Sequence, residues 1–420
     1  MRVLVLGADG FIGRHILFAL RSAGHQPVAS ARRASALAWM GFEVFPADLT
    51  DPATHDPAFW RPALAAATSL INAAGLLTGS EAAFEAVHVT APQAAYRALA
   101  GGRAVLISAV GIEAETRFAY WRRQGEAVAD AAGVTILRPG LVLADTSYGG
   151  SSLIRALAAL PWRTPVIGDG QQPFNPIHAN DLAQVVLRCL ENPPGPGPWD
   201  VGGPEVVTQG QLTTLYRAWL GRPGTRLLAV PIPLARMLGR LGDALRLGPL
   251  SQTSVAQLQA GVLSHPAPLT EKLGPLGRSF STFLAARPPG TQDLWQARLY
   301  LLKPAIRLGL GLMWFVSGLL GLLLPPGAFL PLLTQAPFAA ATLTTAGRIG
   351  GVADLALAYA LLPNWRPVTV GWAQFAVTLA YTAGLSLMAP AAWVEPLAGL
   401  LKNLPVLLLV LTHIALAEER

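Results

Sequence analysis

The chain has 420 residues, 52% of them hydrophobic and only 13% charged, with a formal net charge of +7. So few charges exclude an ordinary soluble composition throughout, because about a quarter of the residues of soluble domains are charged. The basic residues are scattered, with no cluster, helix-turn-helix spacing or zinc-finger pattern, so nucleic acid is not the expected partner.

The charge is also unevenly spread. Residues 304–420 hold five basic and four acidic side chains, and residues 1–303 hold the other 26 and 20. The expectation is a soluble segment at 1–290, a linker at 291–303 and a membrane domain at 304–420. Anionic lipid headgroups suit the basic residues that flank the apolar tail. No leader is expected at residues 1–13, where the run VLVL is short and glycines follow at once.

Val3 to Leu6 is a continuous apolar run, as expected for a parallel strand buried on both faces. The helical run IGRHILFALRSAG follows, ending at Gly24. Between them lies Gly7-Ala8-Asp9-Gly10-Phe11-Ile12-Gly13, followed by Arg14. Glycines permit a tight strand-to-helix turn and let a pyrophosphate approach the backbone, while the helix N-terminus offers unpaired N–H groups. The strand Gln26–Ala31 ends in Arg32-Arg33, where an acidic residue would suit NAD and arginine suits the 2′-phosphate of NADP, so NADP is preferred over NAD.

Short apolar strands then alternate with helical stretches: FEVFPADL, SLINAAG, RAVLISAVG and VTILRPG. This pattern implies right-handed crossovers and a Rossmann-type α/β fold, a doubly wound parallel sheet. Asp48 and Leu49 at one strand end, Ala73, Ala74 and Gly75 at another, and Ser108 at a third would line the cofactor groove. Residues 139–175 would form loops over the substrate cleft, and amphipathic helices at 208–287 a small helical lobe. Cys189 stands alone in an apolar run, the seven histidines are dispersed, and no metal site is expected.

The segments GADGFIG, ADL, INAAG, LISAVG, TILRPG and NPIHANDLA together resemble the short-chain dehydrogenase/reductase superfamily. The likeness is to its extended and atypical members, in the branch resembling the nucleotide-binding accessory subunit of respiratory complex I. It implies a catalytic tyrosine, a lysine four residues on that lowers its pKa and holds the nicotinamide ribose, and a nearby serine. On this resemblance Tyr120 in FAYWRRQGE is the tyrosine, but Gln124 stands where the lysine belongs; Arg123 would substitute for it. Ser108 opens the serine segment, although Val110 aligns with the serine itself. His88 stands at the family's helix asparagine, and His178 and Asp181 would hold a turn and cap the following helix.

Residues 308–325 carry no charge and, with their flanks, are long enough to cross a bilayer. Further apolar segments lie near 338–362, 367–389 and 395–416. Arg298, Lys303, Arg307 and Arg366 fall on one side and Glu395 on the other, which places the N-terminal domain in the cytoplasm of a multi-pass inner (plasma) membrane protein. WFVSGLLGL and GRIGGVADLALAYALL resemble the DoxX-like four-helix membrane domain, an all-α transmembrane bundle. Arg348 and Asp354 lie within the second segment, and Lys402 is the candidate partner of Asp354. The expected activity is an oxidoreductase acting on an apolar or membrane-derived substrate, such as a quinone or lipid. The alternative is a non-catalytic NAD(P)-binding module that stabilises or regulates a membrane protein complex.

Overall fold

Val3, Leu4, Val5 and Leu6 are all fully buried, and successive residues face opposite layers of one sheet. In the computed structural model, which describes residues 1–418 apart from 66, 100, 225, 334 and 395–398 and the side chain at 260, these residues form strand β1 (Arg2–Leu6). It is followed by helix α1 (Phe11–Ser22) and strand β2 (Gln26–Ser30). Then come α2 (Ser35–Trp39), β3 (Glu43–Val44), α3 (Pro57–Leu64), β4 (Ser69–Asn72), α4 (Ala91–Ala98) and β5 (Arg103–Ile107). The last units are α5 (Arg117–Ala131), β6 (Thr135–Pro139), α6 (Ala179–Glu191) and β7 (Trp199–Val201).

All neighbouring strands pair in parallel, in the order β7-β6-β5-β4-β1-β2-β3. Val3 and Val5 pack with Ile16, Leu17 and Val186 on one face, and Leu4 and Leu6 with Trp60, Ala94 and Ala95 on the other. Burying both faces explains the unbroken apolar runs, and the order reverses between β4 and β2 on either side of β1. A crevice therefore opens at the carboxyl end of β1. Cys189 packs inside the first of these layers.

Residues 209–285 contain the expected helices, with α7 (Gln209–Trp219) and α8 (Ile232–Ala244) the longest. They also contain the strand Arg226–Val230, which pairs in parallel with Arg163–Ile167 and was not read from the sequence. Leu212, Tyr216, Phe280 and Phe283 form a separate small core there.

The chain divides into two compact units, Met1–Arg240 with Pro249–Ala297, and Leu241–Gly248 with Arg298–Arg420. Most of α9 (Thr291–Leu323), from Arg298 on, lies in the second, and it falls with α10 (Ala340–Leu361), α11 (Pro367–Met388) and α12 (Asn403–Ala417) on the four apolar segments. Residues 291–303 are the opening turns of α9. Two of these helices, α9 and α11, are long and apolar enough to cross a membrane, and α12 is a shorter apolar helix. Residues 395–398, within the fourth expected segment and including Glu395, lie outside the described residues.

Asp354 and Arg348 find partners on neighbouring helices. Ser317 and Tyr381 donate to the two Asp354 oxygens at 2.6 and 2.8 Å. This corrects the expected pairing with Lys402, which is exposed just ahead of α12 while the partners of Asp354 come from α9 and α11. Arg348 donates to the Gly321 and Leu324 carbonyls, both at 2.8 Å, and so caps the C-terminal end of α9. Small residues let α9 and α10 approach closely. A Cβ on Gly351 would lie 2.9 Å from the Gly318 oxygen, and one on Gly321 would lie 2.8 Å from the Gly351 Cα. Gly351→Ile is expected to destabilise the bundle by about 2 kcal/mol, as overpacking against backbone does. Titration of the detergent-solubilised chain with a denaturing detergent measures it; an unchanged midpoint would rule out this close helix contact.

Candidate functional site

The turn after β1 is shaped by contacts that only glycine allows. Gly7 has φ +70°, and a Cβ there would stand 2.7 Å from the Ala74 Cα. A Cβ on Gly13 would stand 2.2 Å from the Gly7 oxygen. Gly10 differs: its Cβ would meet only the Gly7 oxygen, at 3.1 Å, and otherwise points into open space. Gly10 is the N-cap of α1 and supplies no side-chain cap. The first backbone bond into the helix runs from the Arg14 amide to the Gly10 oxygen. Among the described residues, no carbonyl takes the N–H of Phe11, Ile12 or Gly13, so these donors and the helix dipole are free for a phosphate. The residues present thus fit a dinucleotide pyrophosphate.

The neighbouring strand ends complete the groove. Arg32 and Arg33 are exposed just beyond β2, with Asp48 near Arg32. Burial would raise the Asp48 carboxyl, but the Thr50 amide and hydroxyl and the Arg32 charge outweigh it and hold the group below the usual carboxylate range. Leu49 is buried beside it. The Ala73 amide bonds the Leu6 oxygen, and the Ala74 amide bonds Asn72 Oδ1, whose Nδ2 donates to the Tyr96 hydroxyl. This network holds Ala73, Ala74 and Gly75 against the glycine turn.

The residues expected to be catalytic do not converge. Ser108 is buried after β5, with a hydroxyl that has no partner among the described residues. Tyr120 is 49% exposed with its ring against Trp121, and Arg123 donates to the Ile112 carbonyl. The buried face of α5 is instead Phe118, Ala119, Arg122, Gly125, Glu126 and Ala129. Tyr120 stands two residues, or about 200°, around the helix from Phe118 and Arg122.

The side chain that reaches the groove edge is Arg122, which the sequence reading passed over. It is 8% exposed; its Nη1 lies 3.4 Å from the Ala74 oxygen, and its Nη2 would be 2.6 Å from a Cβ on Gly75. Its guanidinium carbon sits 5.6 Å from the centre of the Phe118 ring, one turn earlier. Glu126, one turn later, is committed to Arg138 through two bonds of 2.9 and 2.6 Å. Arg122 Nε has no partner among the described residues, and burial brings this guanidinium down to about 10. The four-residue spacing that meets the groove is therefore Phe118 to Arg122, and the phase of the buried face was the signal that located it.

His88 braces the same edge. Its Nε2 lies 3.2 Å from the Leu76 amide nitrogen and 3.1 Å from the Leu76 carbonyl oxygen, and Phe84 stacks on the ring. Burial, aided by the Arg122 charge, pushes this imidazole down to about 3. The folded domain therefore holds His88 neutral, whereas the unfolded chain protonates it near 6.5. Its contribution is complete above pH 6.5 and is lost as the pH falls from there towards 3, at up to about 1.4 kcal/mol per pH unit. Melting curves between pH 7 and 4.5 are expected to fall more steeply for the native chain than for His88→Gln, whose amide keeps the bond without titrating. Parallel curves would exclude His88 as the source.

Two further groups frame the groove entrance. Tyr148 stacks on Phe11 with ring centres 5.9 Å apart, and His15 Nδ1 lies 2.6 Å from Asn180 Oδ1. His178 caps α6 by accepting the Asn180 N–H, as expected, whereas Asp181, in the first turn of α6, is bound by Arg278 at 3.0 Å.

Comparison with known proteins fits this geometry. Residues 3–111 match the NAD dependent epimerase/dehydratase family, and residues 311–411 match the DoxX-like family. The chain joins an NAD(P)-binding short-chain dehydrogenase domain to a DoxX-like membrane domain. The epimerase family protein SDR39U1 homolog, chloroplastic, of Arabidopsis thaliana is 25% identical over 275 residues, 58% of this chain and 76% of that protein. A short-chain dehydrogenase/reductase superfamily protein from Agrobacterium tumefaciens with bound NAD shares the fold at TM-score 0.50 and 16% identity, covering 73% of this chain and 99% of that one. A dTDP-glucose 4,6-dehydratase from Streptomyces venezuelae with NAD and TYD bound does so at TM-score 0.52 and 16% identity, covering 71% and 97%. The short-chain dehydrogenase domain here keeps the glycine turn and the groove but presents a phenylalanine and an arginine from α5.

Proposed function

We propose that this protein is a membrane-anchored dinucleotide-binding module whose groove holds NADP in preference to NAD without a tyrosine acid/base. The observation that carries this reading is the Phe118–Arg122 pair at the Ala74–Gly75 edge. A benzyl ring can neither give nor take a proton, and the nearest phenol on the helix, Tyr120, lies on its exposed side. The α1 amides would hold the pyrophosphate, Arg32 and Arg33 a 2′-phosphate, and Arg122 the far ribose. A bound nicotinamide supplies hydride chemistry, and here the chain's own residues bind and orient it.

The N-terminal domain then stands in the cytoplasm, with the apolar helices crossing the inner membrane several times. Arg298, Lys303, Arg307 and Arg366 support this orientation. Such a module presents nucleotide at the membrane surface to a membrane complex.

Calorimetric titration of NADPH and NADH into the full chain in detergent tests binding. NADPH is expected to bind more tightly, and Tyr120→Phe to leave both affinities unchanged. Failure of both nucleotides to bind the folded chain would overturn the reading. Steady oxidation of NADPH by a quinone or lipid carbonyl, abolished by Tyr120→Phe, would instead establish the oxidoreductase.

A further inference from the structure

Helix α8, Ile232-Pro-Leu-Ala-Arg-Met-Leu-Gly-Arg-Leu-Gly-Asp-Ala244, is amphipathic in an unusual sense. Its small residues are turned inward: Ala235 is buried, and a Cβ on Gly239 would lie 2.9 Å from the Gln252 amide nitrogen. Its large apolar residues are turned outward. Leu234, Met237 and Leu241 are 41, 57 and 53% exposed, and their spacing of three and four places them on one stripe. A soluble protein rarely leaves such a stripe bare.

Cations border the stripe. Arg236 and Arg240 are both exposed, and they bond the neutral amides of Gln259 and Gln252 at 3.0 and 3.4 Å. Neither guanidinium is in an ion pair among the described residues. From residue 222 to 246 the chain carries five arginines and one acid, Asp243.

The end of the helix, from Leu241 on, belongs to the same compact unit as residues 298–420. Immediately beyond it, the Leu245 carbonyl accepts from Arg307 of α9, and Arg246 donates to the Pro363 carbonyl at 3.1 Å. Pro363 opens the turn Pro-Asn-Trp-Arg between α10 and α11, where the Arg366 guanidinium lies 5.3 Å from the Trp365 ring centre and the tryptophan is half exposed. A tryptophan–arginine turn between two apolar helices belongs at the membrane–water boundary. The last turn of α8 is therefore tied to that boundary.

We infer that α8 is an interfacial helix, which sinks Leu234, Met237 and Leu241 into the headgroup layer and sets Arg236 and Arg240 against anionic lipid. An exposed apolar stripe bordered by uncompensated arginines has the chemistry of an in-plane membrane helix. The inference rests on reading α9 to α11 as a membrane bundle, and recovery of the chain in lipid nanodiscs tests that reading separately.

Cys189, the only cysteine, is buried, so introduced cysteines take an environment-sensitive dye selectively. The full chain carrying Leu234→Cys, Met237→Cys, Leu241→Cys or Asp243→Cys is labelled and placed in nanodiscs. These contain phosphatidylcholine alone or mixed with phosphatidylglycerol, with a spin-labelled lipid as quencher. Quenching is expected to be at least about twofold stronger at 234, 237 and 241 than at 243. It should strengthen with phosphatidylglycerol, and Arg236→Glu with Arg240→Glu should remove that dependence. Equal quenching of all four sites by aqueous iodide would overturn the inference. So would shielding from both iodide and lipid, which would mean that protein covers the stripe.

Discussion

Gly7→Ala is expected to cost the dinucleotide-binding domain about 3 kcal/mol, while Gly10→Trp leaves it folded and abolishes nucleotide binding. The two positions lie three residues apart in one turn and differ in what surrounds them. At Gly7 a side chain meets the Ala73–Ala74 backbone just beyond β4 and must also adopt a left-handed conformation, with φ at +70°. Neither the Ala74 Cα nor the strand behind it can move without disturbing the register of β1 against β4. At Gly10 the only close atom is one carbonyl oxygen, and the direction is open. An indole built there occupies the space in front of the α1 amides, where a phosphate has to come. Melting temperature and calorimetric titration of both variants separate the effects. A Gly10→Trp chain that binds NADPH as the native chain does would show that phosphate does not approach this helix end.

The sheet was legible because both faces of β1 are buried, which leaves the unbroken apolar run Val3–Leu6, and because shorter apolar stretches at the centres of β2 and β4 recur between polar loops. The glycine turn was legible for a related reason, since close backbone contact leaves glycine as the only choice at Gly7 and Gly13. The chemistry on α5 was harder to read. A tyrosine followed by arginines draws attention to 120–124, yet the helix is phased by Phe118, Ala119, Gly125 and Ala129, which are small or apolar and turn inward. Arg122 follows that phase, although its charge makes it look like a surface residue. In the bundle, Asp354 was recognisable as out of place in an apolar segment. Its partners could not be read, because Ser317 and Tyr381 come from two other helices that meet it only through glycine-mediated packing. The same limit hid the strand Arg226–Val230, whose partner lies more than fifty residues earlier.

Arg122→Met is expected to leave the domain folded and to weaken NADPH and NADH alike by about 10- to 100-fold. The fold survives because Glu126 keeps its two bonds to Arg138, so no buried carboxylate is stranded, and removing a buried cation relieves its desolvation. Methionine also fills much of the space beneath Gly75. Binding suffers because a charge-assisted hydrogen bond to a ribose or phosphate oxygen is worth about 1.5–3 kcal/mol, and a thioether cannot replace it. The two nucleotides should suffer equally, since Arg122 stands at the β4 edge while Arg32 and Arg33 stand beyond β2. Arg32→Ala is expected to do the opposite, weakening NADPH and sparing NADH, because only NADPH carries the 2′-phosphate. Arg122→Lys should recover part of the loss. If Arg122→Met binds both nucleotides as the native chain does, the guanidinium is a strut beneath Gly75, and the groove holds its ligand through the α1 amides and the β2 arginines alone.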